Sequence, residues 1–262
     1  MIFFRVLNYL KYTIMAGHRA GHGIHSPFIF DLVTRVFRNK TDRDIVCIIE
    51  KTRKKMLHDR RTIEAEDFGA GAENRKTNRK RVSQIAKRSP VTKKYGLLLS
   101  KLASEFGGEG IIEFGTSLGI STMYLASASG NLKVFSMEGS AALAEIAREN
   151  LDSAGFTNCE VFTGDFDVVL PAVFEKCQNP GLVFIDGNHR KEPLLRYFLK
   201  ITEKCSKKTV IVIDDINYSK EMHEAWKEIR SAENVTVTID MHRMGLVFLR
   251  EGITPNNYII RY

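Results

Sequence analysis

From Gly110 onward, short apolar runs alternate with stretches of helical periodicity. That rhythm restricts the chain to an α/β fold with a mostly parallel sheet covered on both faces. The runs fall at 110–114, 132–137, 159–163, 181–186, 208–213, 234–240 and 244–250. Only Met241-His242-Arg243 separates the last two. They are therefore expected to pair as an antiparallel hairpin, giving seven strands with the final pair reversed and no repeat. Residues before about 106 lack this rhythm and read as helices. Gly69-Ala70-Gly71-Ala72 and a basic run form a linker there.

The chain has 262 residues, 44% hydrophobic and 27% charged, which suits one α/β domain with an extension. Cys47, Cys159, Cys177 and Cys205 show no C-x-x-C pair and no metal-finger spacing, so a reduced, cytoplasmic setting is expected. The opening segment 1–15 is apolar, but Arg5 and Lys11 interrupt it, and it falls short of the ~20 residues a spanning helix needs. No small-residue cleavage site precedes Gly17-His18-Arg19. An amphipathic helix packed on the body or on a second subunit is expected, with a membrane-surface helix as the alternative.

The formal net charge is +8, and much of the excess lies between Asn74 and Lys94, where nine basic residues face no acid. Such a run is ordinarily a solvated loop or helix face. Its functional reading is a clamp for an anion, either nucleic acid or a phosphorylated or carboxylated small molecule. No aromatic residue enters the run before Tyr95, which weakens a single-stranded RNA platform.

The stretch from Ile111 to Thr122 is an apolar strand, a turn with Gly115 and Gly119, and then a helix. Glycines permit a sharp turn and a close approach to a ligand, and the N–H groups of the following helix favour a negative group. Glu113 would repel a pyrophosphate but could accept from an ammonium. The ligand therefore reads as an amino acid derivative rather than a dinucleotide. The spacing is G-x-x-x-G, and the G-x-G-x-x-G fingerprint is absent.

In open α/β sheets ligands bind beyond the carboxyl ends of the strands. Here those ends carry acids: Glu113, Glu138, Asp165 after Gly164, Asp186, and Asp214-Asp215. One acid could be a helix cap. Five strands in succession suggest convergence on one pocket. Glu138 lies 23 residues after Gly115, where an acid would hold ribose hydroxyls.

Taken in order, Glu113-Phe114-Gly115-x-x-x-Gly119, Val134–Glu138, Thr163-Gly164-Asp165, Val183–Asp186 and Val212–Asp215 resemble the class I S-adenosylmethionine-dependent methyltransferases. They are most similar to the O-methyltransferases of the catechol and caffeoyl-coenzyme A type. The resemblance spans roughly residues 88–250. It implies a Rossmann-like sheet in a domain at 89–262; the helical extension at 1–88, with its basic linker, does not match the small catechol enzymes and reads as a lid or dimer surface. It also implies that the backbone around Gly115, Ser117 and Gly119, with Ser121, holds the methionine end of S-adenosylmethionine, and that Glu138 binds the ribose. Gly164 and Asp165 would line the adenine, and Val91 would cover the cofactor.

In the catechol type, an acid after the fourth strand and an Asp-Asn pair after the fifth hold Mg²⁺. A basic residue three positions beyond the first acid deprotonates the substrate hydroxyl. The resemblance thus implies Asp186, Asp214 and Asp215 as ligands of Mg²⁺ or another divalent cation, with Asp186 and His189 catalytic. Asp215 replaces the Asn and His189 the usual Lys. Both changes are chemically tolerable, because carboxylates are hard ligands and imidazole is a competent base near neutrality. Alternatively, Asp214 and Asp215 cap the following segment or bind substrate, and His189 is a surface residue. Tyr218, His223 and Trp226 are candidate pocket residues, although Trp226 at helical spacing from Met222 suits a core as well. Gly21–Pro27, with His22 and His25, reads as a structured turn.

The function implied is O-methylation of a small-molecule hydroxyl. Two other classes remain open: an RNA methyltransferase gripping phosphates through 74–94, and a non-catalytic S-adenosylmethionine-binding module. A dehydrogenase fits least.

Overall fold

The computed structural model describes residues 2–17, 23–66, 77–88, 90–128 and 132–262. The chain divides into two compact units, one of residues 1–39 with 179–262, the other of residues 40–178. The boundary expected at 88/89 falls inside the second of these.

Helix α1 (Ile2–Met15) and α2 (Pro27–Asp31), which continues as a π-helical turn at Leu32–Val36, open the chain. The amphipathic helix expected at the N-terminus is present. It is seated by its polar and aromatic side: Arg5 Nε donates to the Tyr218 carbonyl at 2.8 Å, and the guanidinium lies 3.9 Å from the centre of that ring. The Tyr12 hydroxyl donates to the Ile260 carbonyl at 2.8 Å. Phe3, Leu7, Leu10 and Ile14 remain exposed. His22 lies outside the described residues.

The unit at 40–178 begins with α3 (Arg43–His58), capped by Asp42, whose carboxylate accepts from the Asp44 amide at 2.8 Å. Strands β1 (Thr62–Glu66) and β2 (Thr77–Arg81) then pair antiparallel, Glu64 opposite Arg79. These strands correct the expectation of helices and linker alone. Strand β2 is polar throughout, and β1 alternates over only five residues with Ile63 as its one large apolar side chain, too short a pattern to mark a strand. Helix α4 (Val82–Arg88) and α5 (Lys93–Phe106) follow. Arg79, Lys80, Arg81, Lys87, Arg88, Lys93 and Lys94 are all exposed, as expected of a solvated face, whereas Arg75 and Lys76 lie outside the described residues.

Next come β3 (Ile111–Phe114), α6 (Ile120–Ala126), β4 (Val134–Glu138), α7 (Ala141–Ser153), β5 (Cys159–Thr163) and α8 (Phe166–Lys176). The three strands are parallel in the order β3-β4-β5, with Ile111 opposite Val134 and Val134 opposite Cys159. Every residue of β3 and β4 is buried, as their continuous apolar character requires of parallel strands.

The remaining elements are β6 (Leu182–Ile185), α9 (Lys191–Lys204), β7 (Val210–Ile213), α10 (Lys220–Arg230), β8 (Val237–Asp240), β9 (Gly245–Phe248) and β10 (Asn256–Ile259). Their order is β10-β8-β9-β7-β6. Strands β6 and β7 are parallel, whereas β9 runs antiparallel to both β7 and β8. The α/β class and the antiparallel C-terminal hairpin are borne out, with Asp240 opposite Gly245 at the turn. Strand β10, parallel to β8, is an eighth strand where seven were expected.

Met222, Ala225, Trp226 and Ile229 form the buried stripe of α10. Trp226 is thus a core residue rather than a pocket residue. Its indole Nε1 donates to Asp240 Oδ2 at 3.0 Å, and the outer edge of its ring lies against Gly245, where a Cβ would fall 2.6 Å from Cη2. His223 is engaged as well, its Nδ1 2.8 Å from Asn217 Oδ1. All four cysteines are free, and among the described residues no helix is long and apolar enough to cross a membrane.

Candidate functional site

The turn that joins β3 to α6 is built by backbone conformations open to few residues. Gly115, Ser117 and Gly119 have φ of 98°, 49° and 81°. Glycine takes such angles without strain, and Gly119 is also the N-cap of α6. The Gly115 and Thr116 amides both donate to the Met137 carbonyl, at 2.9 and 3.1 Å, which draws the turn over the end of β4.

Glu138, at that end, completes the cradle. Its carboxylate accepts from the Ser117 amide at 2.7 Å and from the Ser140 amide at 2.9 Å. Burial raises its pKa, against the lowering effect of those amides. Ser117 thereby keeps its positive φ although it is not a glycine. Asn150 supports the turn from α7 by donating to the Leu118 carbonyl at 3.0 Å.

Glu113 lies beneath the turn and is fully buried. Its Oε2 accepts from the hydroxyls of Thr122 at 2.5 Å and Ser136 at 2.6 Å. Burial pushes its pKa upward, while Ser121, Ser136 and Thr122 oppose the shift. Among the described residues Glu113 Oε1 and Ser140 Oγ are buried polar atoms without a partner. A buried acceptor left unpaired is costly and asks for an outside donor. An ammonium would suit Glu113 Oε1 and a hydroxyl would suit Ser140 Oγ, so the cradle fits an amino acid–nucleoside ligand. Ser140 was missed by sequence reasoning, because a serine opening a helix reads as an ordinary cap.

Gly164 has φ 143°, and Asp165 caps α8 by accepting from the Asp167 amide at 2.9 Å. Asp165 therefore has a structural task besides the lining role expected of it. Val91 is buried, and its carbonyl accepts from Arg53 Nη2 at 2.7 Å. Glu113, Glu138, Gly164, Asp165 and Val91 all belong to the unit at 40–178.

Asp186, His189, Asp214 and Asp215 belong to the other unit. His189 Nε2 stands 3.6 Å from Asp186 Oδ1, an ion-pair distance rather than a hydrogen bond. Asn188 and Asp215 adopt φ of 53°, so both loops are tightly turned. Asp214 is fully buried and is gripped by Arg243, whose Nε lies 3.1 Å from Oδ1 and whose Nη2 lies 2.9 Å from Oδ2. Arg243 Nε is also 3.6 Å from Asp215 Oδ1. Burial alone would lower the Arg243 pKa, but Asp214, with Asp215 and Asp186, raises it. Asp215 is pushed upward by burial and by the charge of Asp214, against His189, Arg243 and Arg5.

This arrangement bears on the divalent cation implied by the resemblance. A forked guanidinium occupies both oxygens of Asp214 and supplies the positive charge there. Among the described residues no three His, Cys, Asp or Glu side chains are grouped to hold a metal. As placed, the donor set does not fit a divalent cation.

Residues 112–216 match the family model of a methyltransferase domain. A catechol O-methyltransferase from Niastella koreensis is 31% identical over 129 residues, covering 48% of this chain and 58% of that protein. The chain spans about half the length of the curated relatives it matches. Among solved structures, cofactor-bound Rv0187 from MTB superposes with a TM-score of 0.58 at 21% identity, over 86% of this chain and 95% of that one. An O-methyltransferase from Bacillus cereus in complex with SAH gives 0.55 at 21%, over 84% and 97%. In sequence over residues 112–216 the chain is similar to methyltransferase domains, with a catechol O-methyltransferase among its relatives, and in fold it is similar over most of its length to solved O-methyltransferases.

Proposed function

We propose that residues 40–178 bind S-adenosylmethionine and that the protein methylates a hydroxyl group of a small molecule. The pairing of two orphaned buried polar atoms, Glu113 Oε1 and Ser140 Oγ, with the Gly115–Gly119 turn carries this reading. In the reading, Glu113 accepts from the amino group, the turn around Ser117 and Ser121 holds the methionine end, and Glu138 and Ser140 meet the ribose. Gly164 and Asp165 line the adenine, and Val91 covers the ligand. When bound, the cofactor supplies an electrophilic methyl on a sulfonium. Catalysis then needs alignment and removal of the acceptor's proton.

His189 is the base of this proposal. With Nε2 turned to Asp186, Nδ1 is the nitrogen that takes the proton from the acceptor hydroxyl. No step is routed through a divalent cation, because Arg243 already balances Asp214. An anionic acceptor suits the chain's excess of positive charge. The four free thiols suit the reducing cytoplasm, and a homodimer through the N-terminal helices belongs to the same reading. A second reading, RNA methylation, is favoured by one observation, the seven exposed basic residues between Arg79 and Lys94.

The test is calorimetric titration with S-adenosylmethionine and S-adenosylhomocysteine, in Mg²⁺ and in chelator, on wild type, Glu138→Ala and Ser140→Ala. Micromolar binding by wild type, weakened in both variants, is expected. Ser140→Ala breaks no hydrogen bond within the described residues, so its effect does not depend on damage to the fold. Absence of binding by wild type under every condition would overturn the proposal. Turnover on RNA that falls steeply with salt would move the acceptor to nucleic acid, and binding without turnover on any acceptor would leave a non-catalytic module.

A further inference from the structure

Helix α3 lies in the extension ahead of the methyltransferase match, yet its side chains reach both the helix that follows the turn and the segment at Val91. Arg53 Nη2 donates to the Val91 carbonyl at 2.7 Å. Arg53 Nε and the Tyr124 hydroxyl both donate to Glu50 Oε1, at 3.1 and 2.8 Å. Tyr124 belongs to α6, the helix that begins at Gly119, and is fully buried. Its ring lies so close to α5 that a Cβ on Gly96 would fall 2.4 Å from it. One carboxylate oxygen therefore links the helix of the turn to the segment at Val91, through Arg53.

The same extension supports the turn by packing. Met56 of α3 and Val82 and Ala86 of α4 are buried in one cluster with Leu118, the residue between Ser117 and Gly119. Arg61, just beyond α3, bonds Asp59 and reaches Glu149 of α7 at 2.8 Å. Apolar contact fixes where the turn sits. The Glu50–Arg53 pair does something packing cannot, because it holds one particular carbonyl, that of Val91, at a set distance from the helix that starts the turn. Arg53 and Glu50 are half-buried, and a charge-assisted hydrogen bond in such a place is stronger than a neutral one.

We propose that Arg53, held in place by Glu50, is a positioning residue for S-adenosylmethionine: it fixes the Val91 segment against the cradle so that the closed arrangement exists before the ligand arrives. The inference rests on the reading that Val91 covers the cofactor. A preorganised covering segment lowers the cost of binding, so its loss weakens affinity for the cofactor while the fold persists.

The experiment compares wild type, Arg53→Met, Arg53→Lys and Tyr124→Phe by calorimetric titration with S-adenosylhomocysteine, alongside thermal unfolding of each protein without ligand. Arg53→Met keeps the apolar stem and removes the donors. It is expected to raise Kd about tenfold, because the covering segment must then be ordered on binding rather than beforehand. Arg53→Lys retains a charge that can reach a carbonyl and should recover part of that loss. Tyr124→Phe leaves the Arg53–Val91 bond intact and should change Kd less than Arg53→Met. An unchanged Kd in Arg53→Met, with or without a lower melting temperature, would overturn the inference and leave the cofactor reading standing. Failure of wild type to bind would instead remove the cofactor reading, and this inference with it.

Discussion

The carboxyl of Glu113 is fully buried, and burial is the largest influence on it, lifting its pKa above the ordinary 4.5 despite three side-chain hydroxyls that favour its charged form. A carboxyl whose pKa is raised on folding binds its proton more tightly in the folded chain than in the unfolded one. Its stabilising contribution is complete below the unfolded value and is lost as pH rises through the folded value. Between those two values the loss amounts to about 1.4 kcal/mol per pH unit. Glu113→Gln removes the titration and keeps an acceptor for Thr122 and Ser136. It places an amide where Oε1 has no partner, at a cost of about 1–3 kcal/mol at every pH. The stability of wild type minus that of Glu113→Gln is therefore expected to shrink as pH rises from about 5 toward neutrality. Asp215, also raised, is present in both proteins and cancels in the difference, whereas the charge of Glu138 adds to the upward pull on Glu113 and acts in the same direction. Urea unfolding followed by far-ultraviolet circular dichroism, with equal m values in the two proteins, measures it. A difference that is flat or grows with pH would show that the Glu113 carboxyl is not desolvated as its burial requires.

Gly245→Ala would drive a methyl group into the indole of Trp226, which Asp240 holds in place, and is expected to cost about 1–3 kcal/mol in thermal unfolding. Arg243→Ala would strand the buried Asp214 carboxylate and is expected to destabilise by about 3–5 kcal/mol, far more than loss of an exposed ion pair. Wild type should show no Mn²⁺ binding by electron paramagnetic resonance and should keep its turnover in chelator. Loss of turnover on chelation, restored by Mg²⁺, would refute the assignment of Arg243 as the charge partner of Asp214.

The seven strands from β3 to β9 were legible because each is an apolar run closed by an acid, a glycine or a polar turn, and their lengths leave little choice of structure. Strand β10 escaped notice because its pattern is polar and only Tyr258 is buried among its four residues. Strands β1 and β2 escaped because they are short and mostly polar; Ile63 links β1 to the cluster of Met56, Val82 and Leu118. The acids at the strand ends were legible as positions but not as partners. Nothing local to Asp214 announces Arg243, 29 residues away on a hairpin turn, and nothing local to Val91 announces Arg53, 38 residues earlier. The resemblance to catechol-type enzymes supplied a cation for the acidic pair, whereas the fold brings one from the chain itself. For Trp226 the structure decides between the two readings its spacing from Met222 left open, since it belongs to the buried stripe of α10.

The pairing of residues 1–39 with 179–262 in one unit has a consequence for how the chain is made. Helix α1 binds residues 217, 218 and 260, which follow it by 209, 213 and 248 positions. At ordinary rates of synthesis its docking surface is completed on the order of tens of seconds after α1 itself emerges. The unit at 40–178 is continuous in sequence and meets no such delay. During that interval Arg5, Asn8 and Tyr12, the side chains by which α1 docks, are without their partners, so the helix stays undocked until residues 217, 218 and 260 have been made.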